Sequence, residues 1–558
     1  MNNEENMHMK KSNVQIILLA ITSMSCLSSC GFNHEEITSN KSDEVVSVDP
    51  TKTQLMIGNY DGDLGHEWLQ MVADKYTALH PDVQIIINNE KDNYGDATLL
   101  TNIDSYNNDM YFLNAITYSN YVNQDKFLDI TDAVNSKIDG EDKSILDKMN
   151  STLKEYYKWT KNNKEQYYAV PFFDAVFGAM YDYDLFEDEG LFYNTDNELI
   201  CNSENETKSA GPNGIPGDFD DGLPATYSQW TKLLDTMNKT SIIPYTWSGM
   251  YPYYRARFLT SIWADYEGKE NFDINQSLSG SYLFDGDDTP TEINIKNGYL
   301  LQNQKGKEYA LNMAKYIISN KYYSSDSFYS TNTHLEAQQT FLLSCVNTKG
   351  KRIGMILEGG WWENGAKPFF NEMAKTYGNK YAYGQRRFGF MPVPKSDDGK
   401  SSKETTLISS TGNSIVCIAK KTNQPELAKD FLKFVHSDES LRTFSRVTGS
   451  VRPYLYQLTQ EDRKEMSFFA TSMFDLYNDK NTNISYITLY GNDVFTTETS
   501  FLNNTNWFWG AKLNDSSYSD PLYEFSQNAN LTVAQYLQGM KDRYSESEWT
   551  KKLSKYFD

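Results

Sequence analysis

The segment from Thr53 to Ile87 constrains the fold most strongly, because it holds a strand, a glycine-containing turn, a helix and a second strand within 35 residues. Residues 55–58 form a short apolar strand, and apolar side chains then recur at helical spacing over 68–79, where Pro81 ends the helix. A βαβ unit of this kind joins parallel strands through a helix. It predicts an α/β fold with a largely parallel sheet and helices on its faces.

Later parts of the chain repeat this alternation. Further strands are predicted at 110–113, 242–247, 353–359 and 414–419, and a further helix begins at Pro425. Residues 192–222 are polar and rich in glycine and proline, which is typical of a long surface excursion rather than a domain. With 558 residues, the chain is long enough for two or three cores of about 100–200 residues each.

Composition excludes some classes of function. The formal net charge is −23, and no stretch gathers Lys and Arg into a basic stripe, so nucleic acid is not an expected partner. Hydrophobic residues make up 39% of the chain, which indicates ordered cores. The 40 tyrosines combine an apolar ring with a hydroxyl group, and such side chains suit half-wet clefts as well as cores.

The N-terminus is typical of a secreted protein. Lys10 and Lys11 precede an apolar run from Val14 to Leu27, which is too short to cross a bilayer as a helix. The tetrapeptide Leu27-Ser28-Ser29-Cys30 resembles the bacterial lipobox, in which the cysteine is lipidated. We therefore expect a signal peptide at 1–29, lipidation of Cys30 and an extracytoplasmic protein anchored to the cell membrane. An ordinary signal peptide with a chance cysteine is the alternative. Residues 30–51 lack any apolar period and predict a flexible tether.

No enzyme motif stands in the chain. His66-Glu67-x-x-Gln70 lacks the second histidine of a zinc protease, and Gly399-Lys400-Ser401 lacks the earlier glycine of a phosphate loop. Neither Asp285-Gly286-Asp287-Asp288 nor Asp218-x-Asp220-Asp221 has the spacing of a calcium loop. None of the five cysteines forms a C-x-x-C pair. We therefore expect no catalytic residues, no cofactor and no metal.

Five short segments, in order, carry a resemblance to a known family. They are Tyr168-Ala169-Val170-Pro171, Tyr181-x-x-Asp184-Leu185-Phe186, Gly354-Met355 with Gly360-Trp361, Pro392-x-Pro394 and Ala428-x-x-Phe431-Leu432. In this order they resemble the bacterial extracellular solute-binding proteins of the maltose-binding-like group, the receptors of sugar-importing ABC transporters. The resemblance runs from about Thr53 to Trp549.

The resemblance implies two α/β lobes with a hinge and a ligand cleft between them. The expected lobes are residues 52–170 with 401–455, and residues 171–400 with 456–558. The implied function is a monomeric receptor that binds an oligosaccharide or other small solute and delivers it to the permease subunits of an ABC importer. The lipid on Cys30 would keep the receptor beside that permease.

The resemblance also suggests ligand-binding residues. A sugar ring has apolar C–H faces and a belt of hydroxyl groups, so it favours aromatic platforms with charged acceptors at their edges. By residue match, Trp361 is the expected stacking platform, and Trp362 and Glu363 follow it. Asp174 corresponds to a carboxylate that faces the cleft, and Phe173 flanks it. Further candidates at strand ends and on loops are Tyr60, Asp61, Tyr118, Trp247, Tyr251, Tyr253 and Arg452. The alternatives are that one of the two tryptophans lies in the core and that Arg452 forms an ion pair at a helix end.

Two other functions stay open at this point. Abundant acidic residues could supply the carboxylate pair of a surface glycoside hydrolase or lyase, although the geometry of such a pair is invisible in a sequence. A non-transport, glycan-binding surface lipoprotein of the helical-repeat type has a similar length and acidity. That type predicts helix pairs with a period near 34 residues, and no such period is present.

Overall fold

A computed structural model describes residues 47–557 except 115, 162, 200–206, 347–349, 411–413, 488–493 and 514–515. The predicted signal peptide, Cys30 and the predicted tether up to residue 46 lie outside the described residues. Among the described residues, no helix combines the length and the apolar character that crossing a bilayer requires.

The described residues form both strands and helices. The strands are β1 (Thr53–Tyr60), β2 (Val83–Glu90), β3 (Met110–Leu113), β4 (Lys158–Lys161), β5 (Lys164–Tyr167), β6 (Ala169–Pro171), β7 (Val176–Asp182), β8 (Ile243–Trp247), β9 (Gly280–Tyr282), β10 (Thr291–Ile293), β11 (Ile353–Gly359), β12 (Phe388–Met391), β13 (Thr405–Ser409), β14 (Ile415–Ile418), β15 (Thr482–Tyr486), β16 (Ala511–Leu513) and β17 (Ser516–Tyr518). The helices are α1 (Glu67–Leu79), α2 (Asp96–Asn102), α3 (Tyr118–Asn123), α4 (Thr131–Asn135), α5 (Ile145–Lys148), α6 (Ser151–Tyr157), α7 (Tyr183–Asp188), α8 (Tyr227–Lys239), α9 (Tyr253–Glu267), α10 (Lys269–Ser277), α11 (Lys305–Ser319), α12 (His334–Leu343), α13 (Trp362–Gly365), α14 (Lys367–Tyr377), α15 (Pro425–Phe434), α16 (Asp438–Thr448), α17 (Gln460–Glu465), α18 (Phe468–Asn478), α19 (Val494–Thr497), α20 (Thr499–Leu502), α21 (Asn504–Trp509), α22 (Pro521–Gln527), α23 (Val533–Arg543) and α24 (Glu546–Leu553).

The first lobe is built on a five-stranded sheet of order β2-β1-β3-β14-β6. The predicted βαβ unit is confirmed, because β1 and β2 are parallel with Thr53 opposite Val83, and α1 connects them. Glycine is required at position 58 in β1, since a Cβ atom there would lie 2.5 Å from the ring of Tyr111. The chain leaves this sheet at Pro171 and returns to it at Ile415, so its last two strands come from distant parts of the sequence.

The second lobe is built on a six-stranded sheet of order β15-β13-β7-β11-β8, with β12 also paired to β7. The expectation of largely parallel strands is wrong here, because β7 is antiparallel to β11, β12 and β13. The reason is topological: β7 enters directly from the first lobe, not through the helix of a βαβ unit. β14 is likewise antiparallel to both of its neighbours in the first sheet.

The chain passes between the two sheets more than once. The first crossing joins β6 to β7, and the second joins β13 to β14. The expected lobe border at residue 400 is wrong, because β13 (Thr405–Ser409) pairs with β7 and β15 in the second sheet. A third connection follows α16, whose Phe444 ring lies 5.0 Å from that of Trp68 in the first lobe. It leads to α18, whose Phe469 ring lies 5.7 Å from that of Trp362 in the second lobe.

The C-terminal segment packs onto helices α9 and α10 and the residues that follow them. Trp507 donates from its indole nitrogen to the carbonyl oxygen of Asn275 at 2.8 Å, and Trp509 donates to the hydroxyl of Thr260 at 3.0 Å. Both indoles are buried, so the cluster at residues 507–509 points into the second lobe and provides no ligand wall.

The excursion at 192–222 is fastened to the second lobe in its described parts. The backbone N–H of Tyr193 donates to the carbonyl oxygen of Gly222, that of Gly222 to Ser209 and that of Ser209 to Tyr193, over 2.7–2.8 Å. The Tyr193 hydroxyl donates to the carbonyl oxygen of Gln229 in α8 at 2.8 Å. Phe192 and Tyr193 are buried. The predicted surface excursion is therefore a packed loop with a buried edge.

Candidate ligand-binding site

The carboxyl ends of β1 and β11 bring side chains from the two lobes together. The turn after β1 contains Asp63, whose carbonyl oxygen accepts a 2.6 Å hydrogen bond from the side-chain amide of Asn364 in α13. The carboxylate of Asp63 lies 3.5 Å from Nε2 of His334, at the start of α12. We call Tyr60, Asp63, Tyr251, His334 and Trp361 the boundary strip. All five are half-buried and thus accessible in part.

Trp361 stands at the point where β11 ends and α13 begins. Its indole lies over the backbone of Gly359, where a Cβ atom would come within 2.2 Å of the ring. The ring packs perpendicular to that of Phe177, with the centroids 5.1 Å apart, and the Phe173 ring lies 6.2 Å away. Glycine at 359 and two phenylalanines therefore fix the orientation of this tryptophan.

A row of aromatic rings continues from Trp361 along the second lobe. Phe177 lies 6.3 Å from Tyr253, which in turn lies 5.9 Å from Tyr251. The Tyr251 ring is 5.6 Å from the imidazole of His334. Tyr253 is 42% exposed, so the row offers accessible ring surface.

From the first lobe, Tyr60 comes near the end of this row that holds Tyr251. Burial raises the pKa of Tyr60, and its phenol interacts electrostatically with Asp63 and Tyr251. Asp61 beside it is half-buried, and its backbone N–H donates to the carbonyl oxygen of Glu90 at 3.1 Å.

The ionisable groups Asp63 and His334 of the strip and the buried Glu358 of β11 affect one another's protonation. Burial by itself lowers the pKa of His334, but the hydrogen bond and charge of Asp63, with the charge of Glu358, outweigh it and raise that pKa. Burial raises the pKa of Glu358 to about 8, although the His334 imidazole acts in the opposite direction. Burial therefore favours the neutral form of Glu358 at neutral pH, and the neighbouring Asp63 favours the protonated form of His334.

Two of the predicted tryptophans lie in the core and not at the boundary. Trp362 is 0% exposed, and its ring packs against Phe388 at 5.1 Å and Phe469 at 5.7 Å. Trp247 is also fully buried, with Tyr323 and Phe328 each 5.4 Å away. The turn from β11 into α13 sends consecutive side chains in different directions, which explains why Trp361 is accessible and Trp362 is not.

Three other candidates are also buried. Tyr118 packs within the first lobe, and its hydroxyl donates to the carbonyl oxygen of Tyr157 at 3.1 Å. Glu363 accepts a hydrogen bond from the hydroxyl of Ser467, and burial raises its pKa to about 7. Phe173 is buried beside Trp361 and supports that ring. The prediction that Tyr118 and Glu363 contact a ligand directly is therefore wrong. Phe173 instead supports the ring of Trp361.

Asp174 lies where the chain crosses between the lobes, and it is buried. Its carboxylate accepts hydrogen bonds from the hydroxyls of Ser409, of Tyr477 at 2.5 Å and of Tyr486 at 3.2 Å. Its backbone N–H donates to the carbonyl oxygen of Val451 at 2.8 Å. The predicted cleft-facing carboxylate is therefore a structural group that joins the crossing segments.

Arg452 has the same kind of environment. It is fully buried and donates to the carbonyl oxygens of Phe172 at 2.7 Å and Val435 at 2.9 Å, and to Nε2 of His436 at 2.7 Å. Burial lowers the pKa of Arg452 to about 10. Because its donors bond to protein acceptors, the expected role as a ligand clamp is wrong. We call Asp174, Ser409, Tyr477, Tyr486 and Arg452 the crossing network.

Sequence reasoning did not identify Asp63, His334 and Asn364. Asp63 belongs to the same glycine-containing turn as Tyr60 and Asp61, so its position after β1 could have predicted it as a site residue. Asn364 follows Trp361 by three residues and lies in the short helix α13 that begins directly after it. His334 follows an ordinary threonine cap at the start of α12, and nothing in the local sequence marks it.

The comparison with family models bears out the resemblance found in the sequence. Residues 193–467 match the model of a family described as bacterial extracellular solute-binding protein. This is a family of binding proteins, and its description places its members outside the cell. The search of characterised protein sequences gives no significant match.

Solved structures share the fold over most of the chain. A protein studied for xylan utilization by the thermophilic bacterium Caldanaerobius polysaccharolyticus has a TM-score of 0.55 at 12% identity, covering 88% of this chain and 100% of its own. A chitin oligosaccharide binding protein has a TM-score of 0.52 at 12% identity, with 89% and 100% covered. The SBP RafE in complex with raffinose has a TM-score of 0.50 at 12% identity, with 88% and 100% covered. At this identity the likeness concerns the fold, and the predicted two-lobed α/β architecture is confirmed.

Proposed function

We propose that the chain is an extracellular receptor that binds a carbohydrate between its two lobes and releases it unchanged. The observation that carries the proposal is the boundary strip, where half-buried aromatic rings and charged groups from both lobes meet at the ends of β1 and β11. Ligands of two-sheet α/β proteins commonly bind at such strand ends.

The chemistry of the strip suits a sugar. Trp361 and Tyr253 offer ring surface for the C–H faces of a pyranose. Asp63 offers a carboxylate acceptor and His334 an imidazole donor for hydroxyl groups, and hydrogen bonds to charged groups are about twice as strong as neutral ones. The names of two structural neighbours, which mention a chitin oligosaccharide and raffinose, support the same ligand class.

We further propose that ligand binding favours closure of the lobes. Asp63 from the first lobe already contacts His334 and Asn364 from the second. A ligand that contacts both lobes binds the closed arrangement more tightly than the open one and shifts the population toward it. The segments that join the lobes at Asp174 would act as the hinge.

Delivery to an ABC permease and anchoring by a lipid on Cys30 complete the proposal. The family description and the lipobox-like sequence before Cys30 support both ideas. A lipid anchor would raise the local concentration of the receptor beside its permease without any new protein contact. Metabolic labelling with an alkyne fatty acid should label the wild-type chain and fail to label Cys30→Ser. Equal labelling of the two chains would contradict the anchor.

The binding proposal is tested with purified chain and a panel of oligosaccharides. We expect titration calorimetry to give saturable binding to at least one of raffinose, chito-oligosaccharides and xylo-oligosaccharides, and a glycan array extends the panel. Mass spectrometry of the recovered sugar should show it intact after prolonged incubation. Catalytic turnover would instead indicate a glycoside hydrolase or lyase, and absence of binding across the array would reject a carbohydrate ligand.

A further inference from the structure

The packed loop at 207–222 carries three carboxylates that take no part in the boundary strip. Asp218, Asp220 and Asp221 each present an oxygen, and these oxygens all lie within 4.8 Å of one another. Asp220 is 0% exposed, and Asp218 and Asp221 are half-buried. Carboxylates this close together repel each other strongly unless a cation or protons compensate their charge.

Two oxygens of this group are buried without a hydrogen-bond partner. They are Oδ1 of Asp220 and Oδ1 of Asp221, and no donor among the described residues reaches either of them. A buried carboxylate oxygen without a partner is costly, and native structures rarely keep one unless a water, a ligand or an ion occupies the site. This observation is independent of the clustering itself.

The loop holds the other carboxylate oxygens in place. The backbone N–H of Asn213 donates to Oδ2 of Asp220 at 3.1 Å, and that of Gly217 donates to Oδ2 of Asp221 at 2.8 Å. The Asn213 side-chain amide donates to Oδ2 of Asp218 at 2.8 Å. Oδ1 of Asp218 also accepts from the backbone N–H of Asp220 at 3.3 Å. Asp220 and Asp221 are each held by one oxygen, and their Oδ1 atoms stay without a hydrogen-bond partner.

The backbone of the loop is adapted to this close packing. Gly211 has φ of +60°, and a Cβ atom there would lie 2.2 Å from the carbonyl oxygen of Asp220. Lys208, the basic residue of the loop, donates to the hydroxyl of Tyr183 at 2.6 Å and lies over the ring of Phe192. It acts on Asp221 only through its charge, which lowers the pKa of that acid against the larger effect of burial. The loop therefore gathers negative charge while its own lysine bonds to other groups.

We propose that Asp218, Asp220 and Asp221 bind a calcium ion that stabilises the conformation of this loop. Ca²⁺ accepts six to eight oxygen ligands at about 2.3–2.6 Å in flexible geometry, so ligand oxygens can lie up to about 5 Å apart around it. Mg²⁺ requires shorter bonds of about 2.0–2.1 Å and near-ideal octahedral geometry, which this spread of oxygens fits less well. Water would complete the coordination. The spacing of the three acids differs from that of a calcium loop because the oxygens come together through the turn at Gly211 and not through a regular ligand repeat.

The test uses the full chain after treatment with EGTA and dialysis. We expect calorimetry with CaCl₂ alone to show saturable binding, and millimolar Ca²⁺ to raise the midpoint of thermal unfolding by about 2 °C or more, with a smaller rise for Mg²⁺. Asp220→Asn keeps the shape of the side chain and removes its charge. It should weaken Ca²⁺ binding at least tenfold while unfolding no earlier than the wild type in EGTA.

The matched control is Asp287→Asn, in the exposed acidic turn between β9 and β10, which should bind Ca²⁺ like the wild type. The doubly substituted chain, Asp218→Asn with Asp221→Asn, provides a second route if one variant folds poorly, and it should also lose binding. Absence of Ca²⁺ binding by the wild type, or wild-type affinity in both Asp220→Asn and the doubly substituted chain, would overturn the proposal. Loss of binding in the Asp287→Asn control would overturn it as well.

Discussion

The boundary strip and the crossing network contain similar residues in opposite environments. Both hold aromatic rings, an acid and a basic group, yet every member of the strip is half-buried, whereas the members of the network are buried except for the half-buried Tyr477. In the network, Asp174 and Arg452 bond to hydroxyls, carbonyl oxygens and an imidazole of the protein. In the strip, Trp361 and Tyr251 keep accessible surface.

This difference separates two kinds of polar residue near a lobe boundary. A residue whose hydrogen bonds are satisfied inside the protein supports the fold, and its loss costs stability. A residue with accessible surface and few fixed partners is available to a ligand, and its loss costs affinity. Proximity to the place where the chain crosses between lobes does not by itself indicate a binding role.

The largest expected effect on stability follows the removal of the buried Arg452 cation from the crossing network. Arg452→Met leaves the carbonyl oxygens of Phe172 and Val435 without their donor, and we expect it to lower the free energy of unfolding by about 3–5 kcal/mol. Urea denaturation measures this change. Arg463→Met removes a half-exposed ion pair with Asp475 and should cost less than about 1 kcal/mol. Equal effects of the two variants would contradict the distinction between the regions.

The next effect depends on pH. Burial raises the pKa of Glu363 to about 7, so the folded chain retains a proton that the unfolded chain releases above its ordinary pKa of 4.5. The wild type is therefore penalised progressively between pH 4.5 and about 7, and the penalty then stays constant. Glu363→Gln removes it, so the stability of this variant relative to the wild type should rise by about 2–3 kcal/mol between pH 4.5 and 8.

Urea denaturation at several pH values measures the relative stability of Glu363→Gln. Glu372→Gln, on the neighbouring helix α14 and with its carboxylate partly exposed, is the control and should show no such trend. A relative stability of Glu363→Gln that does not change with pH would show that Glu363 is not protonated in the folded chain.

A smaller free-energy change is expected at the aromatic platform. Trp361→Ala should weaken ligand binding by more than tenfold, which corresponds to about 1.4 kcal/mol or more, and should leave the chain folded. Calorimetric titration and circular dichroism provide the two readouts. Tyr377→Ala, an exposed aromatic residue at the end of α14, is the matched control and should bind normally. Unchanged affinity in Trp361→Ala would remove this ring from the site.

The smallest effect concerns the contact between Asp63 and His334. Because the pKa of His334 is raised where the lobes meet, its protonated form favours the closed arrangement. That contribution is complete below the ordinary pKa of about 6.5 and is lost as the pH rises through the raised value. We expect ligand affinity to fall about threefold between pH 6 and pH 8.5, and His334→Gln to remove this dependence. His80→Gln, in the first lobe, should retain it, and a pH-independent wild type would contradict the role of His334.

The sequence supports the fold better than the site. Local periodicity is sufficient for β1, α1 and β2, because each of these elements is defined by its own side chains. The antiparallel placement of β7 and β14 depends on where the chain crosses between lobes, and no local pattern encodes such long-range pairing.

The candidate site follows the same division. Tyr60 and Tyr251 were predicted from their positions at a strand end and on a loop, and Trp361 from the family resemblance. The structure brings all three to the boundary. Trp362 and Trp247 share that signal but turn into the core, because direction depends on the geometry of the following turn. His334 reaches the strip through tertiary packing alone, which explains why the sequence does not reveal it.

The carboxylate of Asp174 has a mechanical consequence. It holds the segment from β6 to β7 against Ser409 on the second crossing, while its own amide holds Val451 on the third. Three crossing segments that are joined at one residue can rotate about a common axis but cannot easily slide past one another. We therefore expect the two lobes to open by rotation about an axis near Asp174. The length of a bound solute would then set only the angle between the lobes.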